Sequence, residues 1–212
     1  MSSDADLTLE IIPSGTGFVL DLGGNKGVLR QPLQKRGYRY VNLDVRPFGS
    51  GEPSVIGDAH RLPIKTESLE MIVSKDTLEH FIEPATALEE VHRVLKTGGR
   101  FIVWVPFMHP FHGDDFNRYT PIGLKHLLRE FDLIAFESPL WVFSVVWLAT
   151  VEVLKRIHLG FTERPIKQLS NSFDGFFARR QKRLSSFAAA YRIVARKRNE
   201  QSNQSDVCLC PG

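Results

Sequence analysis

The stretch Val19-Leu20-Asp21-Leu22-Gly23-Gly24-Asn25-Lys26-Gly27 decides the fold. A short, mainly apolar run, Gly17 to Leu22, followed by glycines, reads as a buried strand. It ends in an acid and a glycine-rich turn. Gly27 to Arg36 then reads as a helix that Gly37 stops, with Pro32 tolerable only if it falls near the first turn. Working outward, Tyr38 to Leu43, Ser54 to Ile56 and Leu69 to Ser74 read as the second, third and fourth strands. Pro84 to Lys96 reads as a helix with Leu88, Val91 and Leu95 on one face, ended by Gly98-Gly99, and Arg100 to Val105 is a fifth strand. Strands alternating with helices imply right-handed crossovers and a parallel sheet. Thr120-Pro121 opens a further helix to about Glu130. Leu133 to Glu137 and Ala189 to Arg196 read as two late strands. The stretch between them, 138–186, reads as a largely helical insertion.

The composition agrees with one α/β domain. The 212 residues include 42% hydrophobic and 24% charged residues, an ordinary globular mix that can bury its own core. We expect residues 1–16 to be an N-terminal tail, 17–198 the domain, and 199–212 a disordered tail. Met1-Ser2-Ser3-Asp4-Ala5-Asp6 has no apolar core and does not read as a signal peptide. Cys208 and Cys210 are the only cysteines, too close together for an ordinary disulfide and too few for a zinc site; the chain suits a reducing, cytoplasmic compartment.

Charge is uneven. From Lys155 onward there are 12 Lys and Arg against 4 Asp and Glu, a balance of +8; residues 1–154 hold 15 against 20, a balance of −5. A basic third can be a solvated surface or can face an anionic membrane, a phosphorylated substrate or nucleic acid. Just before it, Leu140 to Leu154 is a nearly continuous apolar run containing Trp141 and Trp147, followed by Lys155-Arg156. It is too short to span a bilayer. Two readings stand: a lid or core helix over a substrate pocket, or an interfacial helix on the inner face of a membrane with anionic lipids.

The chemistry sits at the strand ends. In open α/β sheets, ligands bind beyond the carboxyl ends of the strands, where the strand order reverses. Glycines let the backbone turn sharply and approach a ligand closely. A second acid, Asp44, ends the second strand about twenty residues after the turn, where a carboxylate can accept hydrogen bonds from both hydroxyls of a ribose. Together these elements point to an adenosine-containing ligand. A dinucleotide fingerprint would place pyrophosphate at the helix N-terminus. Here Gly24 follows Gly23 directly, Asn25 takes the middle position, and an acid precedes the loop.

That loop resembles the first motif of class I S-adenosylmethionine (SAM)-dependent methyltransferases, acid-x-Gly-x-Gly-x-Gly, with Asn25 departing from the pattern. Asn tolerates a left-handed backbone, so the turn can survive the change. Gly57-Asp58-Ala59-His60-Arg61-Leu62-Pro63, Ser74-Lys75-Asp76-Thr77-Leu78-Glu79-His80 and Ala87 to Arg100 resemble the type 11 group of that family, and Tyr191 to Arg196 resembles its last, antiparallel strand. The resemblance implies a Rossmann-like, doubly wound, mostly parallel seven-stranded sheet. It also implies S-adenosyl-L-methionine as cofactor, bound by Asp21, Gly23, Gly24, Asn25, Gly27, Asp44, Val45, Asp58, Ala59 and Lys75, with Asp58 at the adenine amino group. The segment Pro106 to Thr120 resembles the H-x-x-D-D-(Y/F)-x-R-(Y/F)-T loop of a type 11 subgroup. It offers Asp115, Arg118 and Tyr119 as acceptor contacts and His80 or His112 as the base that removes a proton, an effect worth about 10²–10⁴-fold. In the alternative, Asp115 and Arg118 pair to fix the loop and the histidines only pack.

The expected reaction is methyl transfer to a small-molecule, glycan or lipid-linked acceptor, at oxygen, without a metal. Three rivals are weighed against it. A nicotinamide oxidoreductase is disfavoured by the loop and by the absence of Tyr-x-x-x-Lys. An RNA methyltransferase is permitted by the basic third, but Ser74-Lys75-Asp76-Thr77 is not the Asn-Pro-Pro-Tyr type of motif, so nucleic acid is not the expected partner. A non-catalytic SAM-binding protein would keep the fold and lose turnover.

Overall fold

A computed structural model describes residues 8–48, 54–111, 113–156, 170, 173–174 and 187–198. The apolar runs form β1 (Phe18–Leu22), β2 (Arg39–Asp44), β3 (Val55–Ile56), β4 (Leu69–Lys75), β5 (Leu95–Pro106), β6 (Phe131–Leu140) and β7 (Ala190–Lys197). They make one sheet in the order β3-β2-β1-β4-β5-β7-β6. Strands β1 to β5 run parallel, and β7 lies antiparallel between β5 and β6. This is the Rossmann-like, doubly wound sheet with an antiparallel last strand that the sequence implies. Its order reverses between β1 and β4.

The two-sided burial of β1 shows why it carries no polar alternation. Leu20 and Leu22 face one core with α2 (Pro84–Val94) and α3 (Pro121–Leu127), among them Leu88, Val91 and Leu124. Val19 faces a second core with Leu29 and Leu33, at the edge of and within α1 (Arg30–Lys35). Tyr40 of β2 belongs to this second core. Asp21 follows Val19 by two residues and so projects to the same side, which puts its carboxyl under the turn rather than in solvent.

Several boundaries move. Helix α1 begins at Arg30, not at Gly27, because Gly27 takes φ +72 and belongs to the turn. Pro32 therefore falls in the first turn, where its missing N–H has no helical partner to lose. Helix α2 stops at Val94, and Leu95 is already extended. Gly98-Gly99 lies inside β5, next to a register shift against β4 between Leu69 and Met71, instead of ending the helix. Strand β6 runs on to Leu140, so the insertion starts at Trp141 rather than at Ser138. It opens with α4 (Val142–Arg156) at the carboxyl end of the sheet, since Leu140 and Pro106 both pair with Ala190. Asp174, fully buried, accepts backbone N–H bonds from Trp141 (2.8 Å), Phe143 (3.1 Å) and Ser144 (2.8 Å). A residue from the far end of the insertion thus satisfies the orphan donors at the start of α4. The expected N-terminal tail 1–16 is corrected in part: Leu9 and Ile12 are buried in the second core beside Val19 and Leu33, because their apolar side chains cover that face of the sheet. Residues 1–7 and 199–212, with Cys208 and Cys210, lie outside the described residues.

Candidate cofactor and acceptor site

The turn after β1 is built to be tight. Gly23 has φ +72, and a Cβ there would lie 2.2 Å from Cγ2 of Thr77, the residue that follows β4 and Asp76. The β1 and β4 loops therefore touch at the reversal of strand order, and only glycine fits between them. Asn25 takes the left-handed conformation, φ 49, so the departure from a glycine motif leaves the turn intact. Its carbonyl accepts from Nδ2 of the buried Asn42 (2.9 Å), and its N–H donates to Oδ2 of Asp44 (3.0 Å). A Cβ at Gly24 would meet Asn42 Oδ1 at 2.4 Å and the Asp21 carboxyl at 2.6 Å, so the turn rests directly on these two buried polar groups. Tyr40 Oη donates to Asp21 Oδ2 at 2.6 Å.

Asp44 suits a ribose. Oδ1 accepts the N–H of Val45 (2.8 Å) and Oδ2 that of Asn25, one bond to each oxygen. A carboxylate has about four acceptor sites, so one remains on each oxygen for a diol. Asp58, beyond β3, is held by His60: its Oδ1 accepts from the His60 backbone N–H (2.9 Å) and lies 2.6 Å from His60 Nδ1. These bonds hold its carboxyl below the usual range, so it stays an ionised acceptor. Ala59 is buried in the first core, with Leu20 and Leu22, while Val45 is exposed. Lys75 ends β4 bonded to Asp76, which itself takes a positive φ of 50.

The residues expected on the acceptor side gather around the 3₁₀ turn Leu78–His80 after β4. His80 Nδ1 lies 3.2 Å from Asp115 Oδ1 and 3.1 Å from the Asp114 carbonyl. Asp115 also pairs with Arg118, whose guanidinium stacks over Phe111 at 5.1 Å. Tyr119 turns inward, its hydroxyl donating to the Leu78 carbonyl (3.1 Å); burial pushes its phenol above the usual value. His80, Asp115 and Arg118 are thus brought together, Tyr119 anchors the loop beside them, and His112 lies outside the described residues. Met108, Phe111 and Phe116 stand exposed nearby in the chain.

Glu79 is not marked as functional by the sequence alone. It is fully buried, and burial, reinforced by Asp76 and Asp115, pushes its carboxyl up to about 8, against the opposing pull of Arg118. The only signal in the sequence is an acid flanked by Leu78 and His80 in the short turn four residues beyond the end of β4. Glu79, His80 and Asp115 each bring a potential ligand atom within 4.8 Å of the others. A guanidinium already sits at that cluster as its cation, so we read it as an ion-pair network.

The methyltransferase-domain family matches residues 20–103, from β1 through most of β5. An uncharacterised methyltransferase of Mycobacterium bovis is 32% identical over 103 residues, covering 44% of this chain and 42% of its own. A demethylmenaquinone methyltransferase of Renibacterium salmoninarum is 31% identical over 142 residues, covering 62% of this chain and 56% of its own. The chain therefore spans about half the length of these relatives or less. Among solved structures, a phosphoethanolamine N-methyltransferase of Haemonchus contortus in complex with S-adenosyl-L-methionine superposes with a TM-score of 0.59 at 15% identity, over 91% of this chain and 51% of its own.

Proposed function

Starting from a chain that belongs, through residues 20–103, to the class I SAM-dependent methyltransferase family, we propose that it transfers a methyl group from SAM to a small-molecule, glycan or lipid-linked acceptor, at oxygen. The observation that carries the proposal is the turn Gly23–Gly27 tied by Asn25 to an Asp44 carboxylate with one free acceptor site on each oxygen, at the reversal of strand order. The donor set fits SAM. Asp44 would take the ribose hydroxyls, Asp58 Oδ2 the adenine amino group, and the turn over Asp21 would receive the cationic amino acid part. Bound there, SAM supplies an activated methyl group.

The chain supplies position and proton handling. Orientation of two reactants is worth roughly 7–11 kcal/mol in favourable cases. His80 is the base we favour among the described residues, because Asp115 and the Asp114 carbonyl both face Nδ1 and fix the ring. Arg118 holds Asp115 in place for that task. The exposed Met108, Phe111 and Phe116 favour an acceptor with an apolar part. A relative named for demethylmenaquinone points the same way, toward a small molecule.

Helix α4 bears on where the enzyme works. Trp147 is buried, so it offers no indole to a headgroup layer, contrary to the interfacial reading of that residue. Phe143, Val146 and Val153 instead form an exposed apolar stripe at spacings of three and seven. No described helix is long and apolar enough to cross a membrane. The stripe supports peripheral contact at the inner membrane face. To test the reaction, extracts of cells with and without the protein are compared by mass spectrometry. Products heavier by one methylene, formed only with the protein and lost in Arg118→Ala, support the proposal. No such product with folded protein and SAM present contradicts it.

A further inference from the structure

Loop 113–119 is fastened to the 3₁₀ turn by the backbone around Glu79. The Glu79 carbonyl accepts the N–H groups of Phe116 (2.9 Å) and Asn117 (3.1 Å). On either side, the Leu78 carbonyl accepts the Tyr119 hydroxyl, and the Phe81 carbonyl accepts Asn117 Nδ2 at 2.7 Å. The Glu79 side chain is fully buried, with a carboxylate oxygen within 4.8 Å of polar atoms of His80 in the turn and Asp115 in the loop. Asp76 faces it from the end of β4, His80 from its own turn with Nε2 at 3.9 Å from Oε1, and Asp115, Arg118 and Tyr119 from the loop. Arg118 is the one guanidinium among these groups, and it is already paired with Asp115. Its Nε and Nη1 are buried and take no hydrogen-bond partner among the described residues.

We propose that Glu79 is a positioning residue of the acceptor site, the group that decides whether Arg118 stays with Asp115 and hence whether loop 113–119 stays docked beside His80. As the neutral acid, Glu79 leaves the guanidinium to Asp115, and Asp115 in turn orients His80. As the carboxylate, it is a third anion in the cluster, beside Asp76 and Asp115, and it draws Arg118 toward itself. The pair that fixes the loop then loosens. Burial keeps Glu79 neutral up to about 8, so the docked loop belongs to neutral pH and is lost above it. This rests on the proposed function only in calling the site an acceptor site; the docking itself is independent of any reaction.

Hydrogen exchange tests it without an acceptor. Exchange of a peptide covering 113–119 is measured at pH about 6.5 and about 9, corrected for intrinsic rate and referred to a peptide from β5. At the higher pH about nine in ten Glu79 carboxyls are ionised, so relative protection of the loop should fall on the order of tenfold. Glu79→Gln, the neutral isostere, should hold protection level at both values. Equal protection in the wild-type protein at both pH values overturns the proposal, whether or not the variant folds. An equal fall in wild type and Glu79→Gln overturns it as well. Calorimetry with S-adenosylhomocysteine runs in parallel: failure of the wild-type protein to bind would sink the methyltransferase reading while leaving the loop result to stand or fall alone.

Discussion

Replacing Asp44 with Ala removes the group on which ligand identity most depends, and its cost can be worked from the site. The carboxylate spends one acceptor site per oxygen on the N–H groups of Val45 and Asn25 and has one per oxygen left. Hydrogen bonds to a charged group contribute about 1.5–3 kcal/mol each. Loss of a single ribose bond at the low end already weakens binding about tenfold, and loss of both weakens it a hundredfold or more. The fold should survive, because both backbone donors are exposed and water can replace the acid. Asp44→Asn should fall between the two, since an amide presents one acceptor oxygen where the diol and the two N–H groups need two. Calorimetric titration with S-adenosylhomocysteine gives the affinities, and a thermal melt confirms folding. Unchanged affinity in a folded Asp44→Ala protein would refute the assignment of Asp44 to the ribose, and with it the ligand inferred from the turn.

Gly23→Ala places a Cβ 2.2 Å from Thr77 Cγ2 on a left-handed residue, and should cost about 1–3 kcal/mol in urea unfolding together with most of the SAM affinity; wild-type stability would mean the β1 and β4 loops do not meet as described. Glu79 carries a raised carboxyl in the folded state, so the folded protein binds more protons than the unfolded one between the ordinary value near 4.5 and about 8, and stability must fall as pH rises through that window. The full span is on the order of 5 kcal/mol as an upper bound, and urea midpoints of Glu79→Gln should lack this slope; parallel curves for the two proteins would contradict it. Co-sedimentation with anionic liposomes should retain the wild-type protein at low salt and release Phe143→Ser/Val146→Ser; equal behaviour would remove the stripe on α4 from any membrane role.

The parallel half of the sheet is legible in the sequence because β1 and β4 are buried, mainly apolar stretches ended by punctuation, and the Gly23–Gly27 turn and Asp44 fall at strand ends that any such sheet brings together. The register of Leu95 was not legible. Its position suits the buried face of a helix as well as the start of a buried strand, and it is wholly buried either way. A glycine pair after a helical pattern suits a helix stop, but Gly98, with φ +76, serves an irregularity within β5. Glu79 escaped notice for a related reason. An acid in a short turn looks solvated, and only the tertiary return of loop 113–119 over its carbonyl buries it. The roles of Tyr40 under Asp21 and of Asp174 at the start of α4 depend on pairings 19 and about 30 residues apart, which no local pattern encodes. By contrast, His80, Asp115 and Arg118 lie together because the loop after β5 and the turn after β4 both leave the same end of the sheet.

The central claim is that the turn after β1 and the acid after β2 were shaped for SAM. Calorimetric titration of one preparation with S-adenosylhomocysteine and, separately, with NAD tests it most directly. The account predicts saturable binding of S-adenosylhomocysteine that Asp44→Ala weakens at least tenfold, with NAD binding far weaker. Tighter binding of NAD, or no binding of S-adenosylhomocysteine by the folded protein, would contradict it.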